Sequence, residues 1–465
     1  MVTLLFFALL MLATAIALVD WRRGWLMALV IGVIQDPARK LTPGAPVALT
    51  YSIALVYIVI LFAAQQPLQV ALRDFIRRFG RLFTALMVLL LFLALAAVNG
   101  LFTYGLVYWK VPVLSLITYV IPLPAVLLGY AWVQREENLD RLFLFYAVIT
   151  SIALIGTPLE YLKLQWTSLG MVGLPEGFIR HLPGLQIRIL SGFYRAPDIM
   201  GWHAAMLTAV AITMALRTRV IRLAWPWALV AAWGFFCCLI SGRRKAVYMV
   251  AVFAAVFLWR YFRRLNVGQV VAVVLLGVLL TVVVNKVSAD KEANVYTKGT
   301  ETTREEVLER LEGGLGETVR QFGIFGAGLG TATQGVRHFL GHDENIGWQE
   351  GGLGKLAIEL GIPGLLAAIL VALVTIRLSM KISSFPDEPS TSQLMRASLF
   401  AMFMTNVVEF MVSAQAYSDA MLVLFTAFLV GCLFATAALE DRQKAAAAAA
   451  AAALPERRGA LVPAT

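Results

Sequence analysis

Residues 322–366 read FGIFGAGLGTATQGVRHFLGHDENIGWQEGGLGKLAIELGIPGLL. Glycines at 326, 328 and 330, histidines at 338 and 342 and acids at 343, 344 and 350 lead into an apolar stretch, Leu353–Ile376. Ahead of them lies the long polar segment Lys286–Thr318. A polar loop ending in an apolar run of membrane length predicts a chain held in a bilayer, with this loop at its surface. Composition agrees. Residues are 60% hydrophobic and only 14% charged, with a mean hydropathy of +0.78; a soluble domain carries about a quarter charged residues.

Outward from that stretch, apolar runs of about 17 or more residues mark spans. They fall at Thr3–Val19, Ala48–Ala64, Leu82–Val98, Val111–Val133, Leu142–Thr157, Ile199–Leu216, Leu223–Ile240, Ala246–Phe262, Val267–Asn285, Leu353–Ile376, Ala397–Ser413 and Ala420–Ala437. The expected fold is therefore all-α, a polytopic bundle of about twelve spans. Residues 1–285 form its first helices, 286–352 an extracytoplasmic loop, 353–437 its last helices and 438–465 an alanine-rich tail. Trp25–Ile34 is too short to cross about 30 Å of hydrocarbon and reads as a half-helix or re-entrant piece, leaving the side of Met1 open. The first run has no basic residue before it and ends in Asp20-Trp21-Arg22-Arg23, which fits a retained helix better than a cleaved signal. The three cysteines, Cys237, Cys238 and Cys432, sit in apolar runs and suit neither a disulfide framework nor a zinc site.

The net charge of +11 is accounted for by anionic lipid, with no nucleic acid as partner. Its placement is more telling. Arg73, Arg77, Arg78 and Arg81 share one short loop, and Arg135, Arg141, Arg217, Arg219, Arg222, Arg260, Arg263, Arg264, Arg377, Lys381 and Arg396 recur in alternate loops. Basic alternate loops face the cytoplasm. Residues 158–198, 241–245 and 287–352 then lie outside.

That orientation leaves cations on the disfavoured side. Ser241-Gly242-Arg243-Arg244-Lys245 is the sharpest case. Snorkelling toward headgroups is one reading; a clamp on a phosphorylated lipid is the other, since an arginine fork binds phosphate oxygens through two hydrogen bonds. Arg195, with Asp198 as a possible surface partner, and Arg304 add cation at the same face. Tyr194, Trp202 and Trp348 are candidates to pack on sugar faces.

The Gly326-Ala327-Gly328-Leu329-Gly330 run lacks a βαβ context, so it reads as a tight turn or a close backbone approach, not a nucleotide loop. His338 and His342 have helical zinc spacing, but Gly341 lies between them and no third ligand follows, so no metal or cofactor is assigned. His338, His342, Asp343, Glu344 and Glu350 can each accept a proton from a hydroxyl. Lys355 and Glu359, four apart in the apolar run, are expected to pair. Gly361-Ile362-Pro363-Gly364 is expected to kink that helix.

An arginine early in a late outer loop, then Gly-x-Gly-x-Gly, then Glu359-Leu360-Gly361-Ile362-Pro363-Gly364 at a span, resembles the O-antigen ligase and polymerase family. Arg304, Gly326, Gly328, Gly330 and the Ser241–Lys245 turn carry that resemblance, over roughly residues 195–366. It implies a GT-C-type, metal-independent glycosyltransferase of the bacterial cytoplasmic membrane, with its active site toward the periplasm or exterior. Its donor would be an undecaprenyl-diphosphate-linked oligosaccharide, its acceptor a glycan or lipid hydroxyl, and its partners a polysaccharide export or chain-length machinery. The resemblance further implies that Arg195, Arg243, Arg244, Lys245 and Arg304 hold the diphosphate. The family's catalytic histidine stands nine residues before the Glu of Glu-x-Gly. That position is Glu350 in this chain, so Glu350, His342 or His338 is the base, and a polymerase is favoured over a ligase. A transporter or flippase of a lipid-linked or anionic substrate is the alternative, and a non-catalytic assembly scaffold a third reading.

Overall fold

The structure, a computed structural model, describes residues 2–106, 109–170, 178–182, 185–218, 220–261, 315–332, 351–384 and 391–459. Arg304, His338, His342, Trp348 and Glu350 lie outside them, as do the expected span Val267–Asn285 and the acids 343 and 344.

Apolar runs become helices because a backbone surrounded by hydrocarbon must satisfy its own hydrogen bonds. In chain order they are α1 (Val2–Val19), α2 (Trp21–Leu41), α3 (Ser52–Ala63), α4 (Gln65–Tyr104), α5 (Lys110–Val120), α6 (Pro122–Trp132), α7 (Glu136–Ala153), α8 (Gly156–Tyr161), α9 (Pro197–Arg217), α10 (Ile221–Ile240) and α11 (Arg244–Tyr261). The last three are α12 (Gly352–Ile382), α13 (Thr391–Val412) and α14 (Ala420–Gly459). Among the described residues, nine helices are long and apolar enough to cross a membrane. The outer surface matches: Leu4, Met11, Leu18, Phe62, Leu91 and Leu223 are each more than half exposed, a density of bare apolar side chains that a water-facing surface does not carry.

Several expectations need correction. The all-α class itself holds, with a short antiparallel hairpin, β1 (Phe178–Leu182) with β2 (Leu185–Ile189), added in one loop. Trp25–Ile34 is no half-helix but the middle of the 21-residue α2, roughly 30 Å long at 1.5 Å per residue. The polar residues Gln35, Asp36 and Arg39 disguise it in the sequence. The run at 48–64 is shorter than expected, a 3-10 turn at Val47–Tyr51 leading into the 12-residue α3. The basic loop at 73–81 is helical, and α4 changes direction at Phe79 (φ −123°, ψ 37°). Arg73, Arg77 and Arg81 face out there, while Phe75, Phe79 and Leu82 face in. The nine alanines of the tail extend α14.

The tightest packing joins α6 to α14. A Cβ on Gly129 would stand 2.0 Å from the Phe428 carbonyl oxygen, and one on Gly431 1.9 Å from that of Val126. Small residues let two helix backbones close on each other where lipid offers no hydrophobic drive. Pro122 begins α6, and the Tyr57 hydroxyl donates to the Ile121 carbonyl at 2.9 Å, beside the break between α5 and α6.

Two polar ends result. One joins Asp74 with Arg77, Arg78 and Tyr130, Arg78 with Asp441, Arg217 with Glu136 and Asp140, and Arg396 with Glu440. This is the end with the basic loops. The other gathers residues 36–42, 156–161, 189–198, 241–245, 323–331, 351–352 and 409–419. Thr3 meets Thr42 there, Oγ1 to Oγ1 at 3.1 Å, so α1 starts at this second end.

Candidate functional site

The second end is built on the turn between α10 and α11. Ser241 closes α10, and Gly242 carries the chain through φ 70°. The Ser241 hydroxyl accepts the Arg243 amide at 3.0 Å and donates to the Cys238 carbonyl at 2.6 Å. This local hydrogen bonding fixes where the next three cations begin. Arg243 Nη2 lies 3.1 Å from Asp198 Oδ2, and Lys245 Nζ lies 2.6 Å from Asp198 Oδ1. Lys245 also donates to the Ser413 hydroxyl at 2.6 Å, tying α11 to the end of α13. Arg244 is buried.

Arg195 has different partners from those its sequence neighbourhood suggests. Its Nη1 reaches Asp419 Oδ2 at 2.7 Å and Asp36 Oδ1 at 3.2 Å, and its amide donates to Asp36 Oδ2 at 3.0 Å. The expected Arg195–Asp198 surface pair is thus replaced by two separate, largely enclosed networks, because α2 and the start of α14 supply carboxylates that local sequence does not show. Burial works against the Arg195 charge, but Asp419 and then Asp36 outweigh it and hold the guanidinium above the ordinary arginine pKa. The loop leading to it is pinned from two sides. Lys40 Nζ donates to the Gly192 and Tyr194 carbonyls at 2.8 and 2.5 Å. Glu160 Oε2 accepts the Ser191 and Gly192 amides at 2.9 and 2.6 Å.

The glycine run is a strap between helices. Gly326, Gly328 and Gly330 have φ of 72°, 101° and 96°, a region that side chains disfavour. The Ala327 amide donates to Ile358 in α12 at 2.7 Å, and the Leu329 amide to Ala96 in α4 at 2.9 Å. The strap crosses α12 where that helix breaks, at Gly361 (φ 67°, ψ −178°), and the Ile362 amide turns out to Ile324 at 2.8 Å. The expected kink is therefore present. Of the two readings of the glycines, close backbone approach is the one seen.

Beside the break, the Tyr119 hydroxyl donates to Glu359 Oε2 at 2.5 Å, and Lys355 Nζ stands 5.8 Å over the Tyr119 ring. Glu359 is fully buried and Lys355 nearly so. The two groups expected to pair with each other are each seen against Tyr119 of α5.

Of the predicted site residues, the structure brings Arg243, Arg244 and Lys245 together at one end with Arg195. Gly326, Gly328, Gly330, Lys355 and Glu359 sit at the adjoining strap. Arg304, His338, His342 and Glu350 lie outside the described residues, though Gly351 and Gly352, which follow them, pack on the Met411 and Phe410 carbonyls at this same end. Tyr194 and Trp202 are not sugar platforms. Each is 1% exposed, and both pack on His203 inside the bundle. Sequence reasoning passed over Asp36, Lys40, Glu160, Glu409 and Asp419. Each is an ionisable residue in or beside an apolar run, the signal that should have marked it. It also passed over Asn406, whose Oδ1 accepts from Trp202 at 2.8 Å and Tyr417 at 3.0 Å.

No family model and no curated protein matches the chain.

Proposed function

We propose that this protein is a polytopic membrane glycosyltransferase, a polysaccharide polymerase in preference to an O-antigen ligase, that uses undecaprenyl-diphosphate-linked glycans on the outer face of a bacterial cytoplasmic membrane. One observation supports it most. Arg243, Arg244 and Lys245 are gathered at the end of the bundle opposite the basic loops, where Gly351 and Gly352 at the start of α12 also pack.

The chemistry follows from those groups. A diphosphate is a good leaving group, and fixed cations in a water-poor site stabilise its developing charge. Asp198 already sits between Arg243 and Lys245, so an arriving diphosphate would exchange with or share that carboxylate. Arg195, held between Asp36 and Asp419, shapes the loop in this reading and does not touch the donor. The acceptor hydroxyl gives its proton to a base, for which Glu350, His338 and His342 are the sequence's nominees. Base catalysis of this kind contributes about 10²–10⁴-fold.

The test is reconstitution with a polyprenyl-diphosphate oligosaccharide, scoring chain growth for wild type, Arg243→Ala, Arg304→Ala and Glu350→Gln. Loss of growth is expected in each variant. Full growth in all three would remove the mechanism.

A specific observation favours a second reading. α12 is broken at Gly361 beside the buried Glu359 and Lys355, and broken helices with ionisable groups at depth are a transporter device. Movement of the lipid-linked glycan across vesicles without any new glycosidic bond would establish that alternative.

A further inference from the structure

We infer that Glu409 in α13 receives the proton released during transfer, an inference that rests on the glycosyl-transfer reading. A base must present a free lone pair to its substrate. At this end of the bundle the other buried carboxylates are committed. Asp198 is held through both oxygens by Arg243 and Lys245. Asp36 and Asp419 share Arg195, and Asp419 Oδ1 also takes the Leu422 amide at 2.9 Å. Glu359 holds Tyr119. Glu160 uses one oxygen on the Ser191–Gly192 turn, and its other is sealed from solvent.

Glu409 alone among them has no hydrogen bond or ion pair to its carboxylate among the described residues, and it keeps 6% exposure. Its position suits the role. The Ser413 amide closes the helix onto the Glu409 carbonyl at 2.7 Å, and the Ser413 hydroxyl is the group Lys245 grips. The next two carbonyls, Phe410 and Met411, support Gly352 and Gly351. Glu409 thus lies within a turn of both the Ser413–Lys245 contact and the residues that pack on the start of α12. A group on a packed helix is held more rigidly than one on a loop. The groups facing it are Lys245 and Arg243 from the start of α11, Asp198 from α9 and Tyr417 beyond α13.

In the reaction the acceptor oxygen bonds to the anomeric carbon, and the bond from that carbon to the diphosphate oxygen breaks. The electron pair leaves on the diphosphate. The hydroxyl proton passes to a Glu409 carboxylate oxygen and then to water.

The experiment uses the full chain in vesicles, with a polyprenyl-diphosphate oligosaccharide as donor and undecaprenyl diphosphate as a binding probe. Glu409→Gln keeps the shape of the side chain but not its basicity. It should lower turnover at saturating donor by about 10²–10⁴-fold, abolish the acid limb of the pH–rate profile and leave probe affinity unchanged. Glu409→Asp should restore part of the rate with that limb. Wild-type turnover and profile in Glu409→Gln would overturn the inference while leaving transfer intact, and so would equal losses of binding and turnover. A wild-type protein that forms no glycosidic bond would remove the transfer reading, and the inference with it.

Discussion

Arg195 shows how a single side chain is reassigned by its surroundings. In sequence it is one cation of a basic cluster next to Asp198. In the bundle it is a buried tie between α2 and α14. Deleting one member of a buried ion network leaves the rest uncompensated, at about 3–5 kcal/mol. Arg195→Ala should therefore lower stability in detergent by about that amount. Arg195→Met combined with Asp36→Asn and Asp419→Asn should recover much of it, as read from thermal unfolding by intrinsic fluorescence. Equal stability of Arg195→Ala and wild type would show that the Asp36–Arg195–Asp419 tie does not hold the bundle together. The cations of the Arg243–Lys245 turn were legible because three in a row between two apolar runs oppose the insertion preference. Asp36 and Glu409 were less legible, because one carboxylate in an apolar helix carries no sign of which distant group meets it.

At the scale of elements, the strap and the broken α12 form one unit. A Cβ on Gly361 would stand 2.5 Å from the Phe325 carbonyl carbon, and one on Gly328 2.4 Å from the Gly100 Cα. Both glycines also hold positive φ, which costs a side-chain-bearing residue on the order of 1–3 kcal/mol even without a clash. Gly361→Ala and Gly328→Ala should each lower the unfolding midpoint. Gly80→Ala, where nothing stands within 4 Å of the new Cβ, should stay within about 1 kcal/mol of wild type. A strap that tolerated both substitutions as Gly80 does would not be packed as described. The kink itself was readable from Gly361 and Pro363. The strap's partners were not, since Ala96 and Ile358 are ordinary apolar residues whose backbones accept the bonds.

Across the whole molecule, the contacts sort the loops into two ends, and the charge bias assigns a side to each. Leu41 is 40% exposed at the end with the cation turn, and the Arg23 side chain is 80% exposed at the other. The native cysteines are buried, so introduced thiols will dominate labelling. A membrane-impermeant reagent should modify Leu41→Cys in intact cells and Arg23→Cys only after permeabilisation. The reverse pattern would put the Arg243 turn in the cytosol and defeat the proposed function.

The sequence by itself determined the membrane class, most of the helices, the break in α12 and the gathering of the basic loops at one end, because hydropathy, charge, proline and glycine act over a few neighbouring residues. Tertiary structure alone decided which acid meets which base, that α2 is a complete helix and that the Glu409 carboxylate has no hydrogen bond or ion pair among the described residues. Arg195 and Asp36 are 159 residues apart in the chain. No local pattern encodes such a pairing; it arises only when packing brings the two helix ends within hydrogen-bond reach.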